Sequence, residues 1–330
     1  MSRNDEERLG ITNAPVSSRE QFNSTMKEAE VIQAPKPVSS NISQPVVDRG
    51  LVFVNPTKPV VLPSKGEKYP EDHPLYCVEE IEIKQMTTNE ENILTNHELI
   101  RSGMAIDEFL RSVIVDRRID PQSLLTGDRT AILVASRIYG YGSNYVAKVR
   151  CPICGSIMES AFDLKDAVEN GLEALEQIEE VEAEFGVVWT GKKTFKLHLD
   201  TTGWDVECKL TDGRDEKINF DIKRKRDIQQ KRLRKKNKDI IEVEDTKHMS
   251  EFLRSIIVSI DGNDGVGPRK DKGQLNRAID SMPTMDIVVI KDVYKLINPR
   301  IALLQELYCE KCNYEGVIDV PINENFFRVI

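Results

Sequence analysis

Two C-x-x-C pairs, Cys151-Pro-Ile-Cys154-Gly155 and Cys309-Glu-Lys-Cys312-Asn313, constrain this chain more than any other feature. A zinc knuckle is a tight turn between two strands that points both thiolates to one side. A residue tolerant of the left-handed region follows its second cysteine. Gly155 and Asn313 are of that type, and strand-like runs flank each pair: Tyr145–Arg150 and Ser156–Phe162, then Leu303–Tyr308 and Tyr314–Val320. Together the pairs predict a closed, tetrahedral four-cysteine site for a structural zinc ion, made by Cys151, Cys154, Cys309 and Cys312. It clips segments with 154 positions between them. Metal binding of this kind contributes on the order of 10 kcal/mol to folding. A redox C-x-x-C is the rival reading, but it belongs at a strand-to-helix junction in a βαβ pattern, which is lacking here. Unmetallated thiols are a third reading. The remaining cysteines, Cys77 and Cys208, read as buried thiols. This distribution is not that of a secreted disulfide framework and points to a reducing cytosol.

The chain has 330 residues, about two domains' worth, with 39% hydrophobic and 31% charged residues. That balance is lean for one compact globule and predicts a part without a packed core. No window approaches the roughly 18 apolar residues of a membrane span, and the start, MSRNDEERLG, has no signal-peptide h-region. Nine of the 15 prolines fall within residues 1–74. Proline removes donors and fixes φ, so this zone reads as a disordered arm. An apolar island within it, Leu51, Val52, Phe53 and Val54, is a candidate for docking onto a partner.

Four segments result: the arm 1–74, a helical unit 75–164 ending in the first knuckle, a charged insertion 165–247 with helices and a β-hairpin, and a second helical unit 248–330 ending in the second knuckle. In the first unit, Thr88 and Glu91 form a capping-box pattern, and Gly103 breaks the helix that follows. Ile106, Phe109, Leu110, Val113 and Ile114 recur at helical spacing, and a third helix spans about Asp128 to Tyr139. The insertion carries eight carboxylates over 165–185 and a hairpin-turn signal at Thr211-Asp-Gly-Arg214. It also carries ten Lys or Arg over 223–238. Helices at Ser250–Ser259 and Asp286–Leu296 complete the pattern. The fold class is α+β: helical segments with short antiparallel hairpins, closed by a two-knuckle, zinc-ribbon-like site.

Glu108-Phe-Leu-Arg-Ser-Val-Ile-Val115 returns as Glu251-Phe-Leu-Arg-Ser-Ile-Ile-Val258, identical at seven of eight positions. Each copy precedes a helix and then a C-x-x-C, at 43 residues from Glu108 to Cys151 and 58 from Glu251 to Cys309. Two related helix–helix–knuckle units meeting in one core would explain this; chance likeness of two amphipathic helices is the alternative.

No catalytic constellation emerges. The four histidines show no H-E-x-x-H, and neither a G-x-S-x-G elbow nor a P-loop is present. Gly262-Asn-Asp-Gly265-Val-Gly267 follows a helix instead of a strand and reads as a polar turn. The basic run 223–238 supports an alternative function, a nucleic-acid-binding zinc-ribbon protein. Against it, no aromatic residue interleaves the run, and the net charge is −9. Oppositely charged, solvated helices or a docking surface for an acidic protein are the other readings.

Ser123-Leu-Leu-Thr-Gly-Asp-Arg-Thr-Ala-Ile-Leu133, Arg137-Ile-Tyr-Gly-Tyr-Gly142, Tyr145, the C-P-x-C knuckle, Ser281-Met-Pro283, the later C-x-x-C and Asn325-Phe-Phe327 occur in that order. This set resembles the baseplate hub and hub-assembly proteins of T-even-like contractile-tailed bacteriophages, over about 76–164 and 248–330. The resemblance implies a non-enzymatic structural or assembly protein whose partners are other baseplate and hub proteins. It acts in the infected host's cytoplasm during assembly, or within the virion tail. Membranes and small-molecule substrates are not expected partners, and nucleic acid is disfavoured. Phe326 and Phe327, like the island in the arm, are candidates for insertion into a partner or for closing the protein's own core.

Overall fold

The chain alternates short amphipathic strands with helices, and the two patterns bury their apolar sides against one another. The computed structural model describes residues 46–48, 51–53, 55–175, 183–236, 248–322 and 326–327, all within one compact unit, Asn41–Ile330. Strands β1 (Val46–Asp48) and β2 (Leu51–Phe53) form a small hairpin. Strands β3 (Thr57–Val61) and β4 (Glu80–Lys84) form another, with Val60, Ile81 and Ile83 facing inward. Pro59 is tolerated because β3 is an edge, where a missing N–H breaks no ladder.

Residues 62–79, between these strands, correct the expected extent of the disordered arm. Leu62, Tyr69 and Leu75 are fully buried, so the packed body takes in residues 55–74, which the expected arm included. Composition misleads here because Pro63, Pro70 and Pro74 shape a tight loop instead of preventing structure.

Helices α1 (Thr88–Thr95), α2 (His97–Ser102) and α3 (Ala105–Val113) follow. The capping box is one residue earlier than the sequence pattern suggests: Thr87 caps, and Glu90 returns to its backbone N–H at 2.8 Å. Gly103 ends α2 in the left-handed region, with φ +72°. A 3-10 turn at Pro121–Ser123 leads into α4 (Thr126–Tyr141). Next come β5 (Asn144–Arg150), β6 (Ile157–Asp163) and α5 (Leu164–Leu175), the described part of the acidic stretch besides residues 183–185.

Strands β7 (Val188–Trp189), β8 (Thr194–Leu199), β9 (Trp204–Lys209) and β10 (Ile257–Asp261) make a four-stranded antiparallel sheet in that order. Phe195, Leu197, Leu199, Val206 and Cys208 lie in the main hydrophobic core, so these strands are a centre of the fold and not a surface insertion. The turn between β8 and β9 sits at residues 200–203, with Gly203 at φ +68°. Thr211-Asp-Gly-Arg214 is therefore not a hairpin. The Asp212 carboxylate accepts from the Arg214 and Asp215 amides at 3.0 and 3.3 Å and opens helix α6 (Gly213–Lys236).

Helix α7 (His248–Ile256) ends before the Ser259 that its periodicity suggests. The β-branched run from Ile257 leaves the helix and pairs with β9 as β10. Helices α8 (Lys272–Ser281) and α9 (Thr284–Ile297) and strands β11 (Leu304–Cys309) and β12 (Tyr314–Asp319) complete the order. No described helix is long and apolar enough to cross a membrane.

The internal echo extends into the element order. Ile114 leaves α3 to bridge Ile83 of β4, as Ile257 leaves α7 to pair with Cys208 of β9. Helices α4 and α9 then both open Thr-x-Asp, with Asp128 and Asp286 buried. Thr126 precedes Cys151 by 25 residues, and Thr284 precedes Cys309 by 25. The 15-residue difference between the halves (58 − 43) falls between Ile257 and Thr284, where α8 lies.

Candidate metal centre

Strand β5 alternates in and out at each residue, burying Tyr145, Ala147 and Val149 against α4, and so delivers Cys151 on its inward side. The turn that follows is held by Cys151 N–H donating to Ser156 O at 2.9 Å and by Gly155 N–H donating to Cys151 O at 3.0 Å. Gly155 sits at φ +69°, in the left-handed region. Strands β11 and β12 repeat the device, with Asn313 at φ 52° and its side-chain oxygen accepting from the Tyr308 hydroxyl at 3.1 Å. Both knuckles are thus turns between paired strands.

The two turns converge. All four sulfurs, of Cys151, Cys154, Cys309 and Cys312, lie within 4.8 Å of one another. Across the knuckles, Cys151 Sγ is 3.6 Å from Cys312 Sγ, and Cys154 Sγ is 3.7 Å from Cys309 Sγ. A disulfide needs about 2.05 Å, so these are not bonded pairs. Sulfurs about 2.3 Å from a central zinc at tetrahedral corners are about 3.8 Å apart, so this donor set fits a four-thiolate metal site. Cys151 and Cys309 are buried, Cys312 is half-buried, and Cys154 is exposed.

The Ser156 hydroxyl lies 3.0 Å from Cys154 Sγ and 3.5 Å from Cys309 Sγ. Together with the Cys312 and Lys311 amides it brings the Cys309 thiol down to about 6, and it lowers Cys154 as well. Burial and the neighbouring thiols push Cys312 up to about 12. Four thiols this close cannot all ionise without a cation among them, and a divalent metal would supply that charge.

A family model described as "T4 bacteriophage base plate protein" matches residues 55–328, most of the chain and both knuckles. The chain belongs to the T4 bacteriophage base plate protein family. No curated protein and no solved structure matches it. The family match takes in the packed residues 55–74 of this baseplate protein and the charged middle, which the motif resemblance left out. Family membership gives the protein a structural role in the phage tail, in contact with other tail proteins.

Of the other sequence-assigned residues, Leu51, Val52 and Phe53 form β2, and Val54 lies outside the described residues. Phe326 is a correction to the partner-insertion reading. It is 1% exposed, stacks edge-on against Tyr145, and its carbonyl accepts from Arg137 Nε at 2.8 Å. Phe327 packs on Phe109. Both rings close this baseplate protein's own core. Cys208 is buried as expected, whereas Cys77 is exposed, in a turn at φ 55°.

What sequence reasoning missed is the polar interior around α4. Asp128 accepts from Ser64 N–H at 3.1 Å, Ser64 Oγ at 2.7 Å and the Tyr69 hydroxyl at 2.7 Å. Arg129 pairs with Asp107 at 2.7 Å and Glu216 at 2.9 Å. Gly127 faces the Pro299 carbonyl so closely that an added Cβ would stand 1.8 Å from its oxygen. The resemblance segment Ser123–Leu133 is therefore a packing and hydrogen-bonding seam. Asp128 and Arg129 within an apolar helical pattern are the sequence signal that could have found it.

His73 and Ser123 are not a nucleophile and base. Leu75 N–H donates to His73 Nδ1 at 3.1 Å, so Nε2 carries the proton it shares with Ser123 Oγ at 2.8 Å. Ser123 in turn donates to the Asp120 carbonyl at 2.7 Å. Every proton runs away from the serine's role as an attacking group.

Proposed function

We propose that this protein is a zinc-stabilised structural or assembly component of the baseplate hub, acting through protein–protein contacts. On this reading it works in the infected host's cytoplasm during assembly, or stays in the tail, with other baseplate and hub proteins as partners. The observation that carries the reading is the convergence of four thiols from two hairpins within 4.8 Å in a chain of the baseplate family. A closed set of four thiolates leaves no coordination position for a substrate, which supports a structural metal. The outer faces of the knuckle hairpins expose Val146, Ile153, Ile157, Tyr308 and Val317, apolar surface of the kind that protein partners cover.

The test is metal analysis of protein purified under reducing conditions, beside Cys309→Ser. Zinc at about one per chain is expected, lost in the variant together with cooperative unfolding. Mass spectrometry of purified tails then separates a retained component from a transient chaperone. Wild-type protein that folds fully without metal would overturn the zinc claim. Normal baseplates from phage lacking this protein would overturn the assembly role.

A further inference from the structure

We propose that strand β5 of one copy of this chain adds to strand β12 of a second copy, joining the knuckle hairpins of successive copies into one antiparallel sheet. Each hairpin is a two-stranded sheet of its own, β5 with β6 and β11 with β12. Among the described residues, β5 and β12 therefore each keep one edge without a strand partner. Such edges offer backbone donors and acceptors to another chain.

The backbone bonds fix which residues line those edges. Leu164 N–H donates to the Ser143 carbonyl at 2.9 Å, and Cys151 N–H donates to the Ser156 carbonyl at 2.9 Å. The odd-numbered residues of β5 thus bond towards β6, and Asn144, Val146, Lys148 and Arg150 turn their N–H and C=O groups outward. Val320 N–H donates to the Leu303 carbonyl at 2.8 Å, so Tyr314, Gly316 and Ile318 bond towards β11. Glu315, Val317 and Asp319 turn theirs outward. All seven outward residues are exposed, Val146 by 52% and Val317 by 60%.

Charge selects the occupant. Strand β5 carries Lys148 and Arg150 and no carboxylate, and β12 carries Glu315 and Asp319 and no Lys or Arg. Set antiparallel with Val146 opposite Val317, the two edges place Lys148 opposite Glu315 and Asn144 opposite Asp319. Each of these pairs joins two outward-facing residues, as an antiparallel ladder requires, and sets apolar against apolar and cation against anion. Arg150 and Glu315 form no ion pair among the described residues. Lys148 meets the exposed Glu159 at 3.4 Å, and Asp319 meets Arg300 at 2.9 Å, surface pairs that a new neighbour can share.

One chain does not make this pairing for itself. Within it β6 lies beside β11, and no ladder joins β5 to β12. Tyr145 of β5 reaches the Pro321 carbonyl from its buried side, at 3.2 Å, and leaves both edges open. A second copy supplies the matching edge. Because β5 and β12 are different surfaces, the contact runs head to tail and builds a ring or an open chain.

The test is sedimentation of the full chain over a concentration series under reducing conditions, and concentration-dependent association is expected. Lys148→Glu and Glu315→Lys, each checked for an unchanged melting profile, should associate about tenfold more weakly, because each sets like charges face to face. Mixing the two restores opposite charges at every contact between unlike copies and should restore association. Val317→Pro loses an N–H that points outward and breaks no bond to β11, so it should block association with the hairpin intact. Wild-type protein that stays monomeric throughout the series would overturn the proposal. So would single variants that associate as wild type, or a mixture as weak as its components. A Val317→Pro chain that self-associates normally but no longer enters baseplates would assign the β12 edge to a strand of another tail protein instead.

Discussion

Asp128 is fully buried, and its carboxylate is the hub of a small polar cluster. Ser64 supplies an amide and a hydroxyl, and Tyr69 a hydroxyl that also accepts from the Leu125 amide at 2.9 Å. Tyr69→Phe would leave the Leu125 amide without its acceptor and Asp128 Oδ2 with the Ser64 hydroxyl as its remaining donor, at a cost of about 1–3 kcal/mol in urea unfolding. Burial raises the Asp128 carboxyl above its ordinary 3.8. A carboxyl raised in the folded state keeps a proton that the unfolded chain has already released. Its stabilising contribution is full below 3.8 and is lost as pH rises through the higher native value. Asp128→Asn removes that titration, so its stability relative to wild type should improve from acid towards neutral pH. Urea midpoints measured across that range check it; a pH-independent offset would mean that Asp128 does not titrate there. Arg129 is the second such residue. It is buried with Asp107, so Arg129→Ala strands a buried carboxylate and should cost about 3–5 kcal/mol, again read from urea unfolding.

At the scale of elements, the β3–β4 unit carries the clearest consequence. Among the described residues, removing 1–54 takes away nothing that the main core contains, whereas removing residues 1–66 takes β3, the buried Val60 and Leu62, and the Ser64 contacts to Asp128. The shorter truncation should melt like the full chain, and the longer one should fail to give a cooperative thermal transition. Equal melting of the two would contradict the assignment of β3 to the body. The knuckle turns are sensitive at one backbone position each. Gly155 at φ +69° has open space around its Cα, so Gly155→Ala meets no steric clash and costs only the left-handed backbone preference, about 1–2 kcal/mol. Asn313 already bears a side chain at the equivalent place, so Asn313→Gly should be nearly neutral in the same thermal assay.

Across the whole molecule, two apolar cores meet along α4. The larger joins β3, β4 and α3 to the four-stranded sheet and α9; the smaller gathers the knuckle hairpins, α5 and Phe326 on the other side of α4. A metal at the four thiols would act on the smaller core, tying β5–β6 to β11–β12. Chelation should therefore speed amide exchange in the knuckle hairpins and α5 first, while β8, β9 and α9 stay protected. Uniform exchange across both cores would show that the clip stabilises the molecule globally.

The sequence by itself determined the features that are local. The four cysteines, the residues of left-handed tolerance after them, the alternation of Tyr145, Ala147 and Val149, and the repeated Glu-Phe-Leu-Arg-Ser motif were legible because each depends on a few neighbouring positions. Periodicity carries helix α7 past Ile256, and Thr211–Arg214 has the pattern of a hairpin turn, because β10 pairing with β9 and the bridge of Asp212 to Leu125 depend on partners far along the chain. The same distance hid the place of Pro63, Pro70 and Pro74, whose loop is tied to the body through Asp128, Ser123 and Leu125, and the fate of Phe326, fixed by Arg137 and Tyr145. Burial and charge compensation are properties of groups brought together by the fold. Local periodicity is a property of the chain, and it ends where those long-range contacts begin.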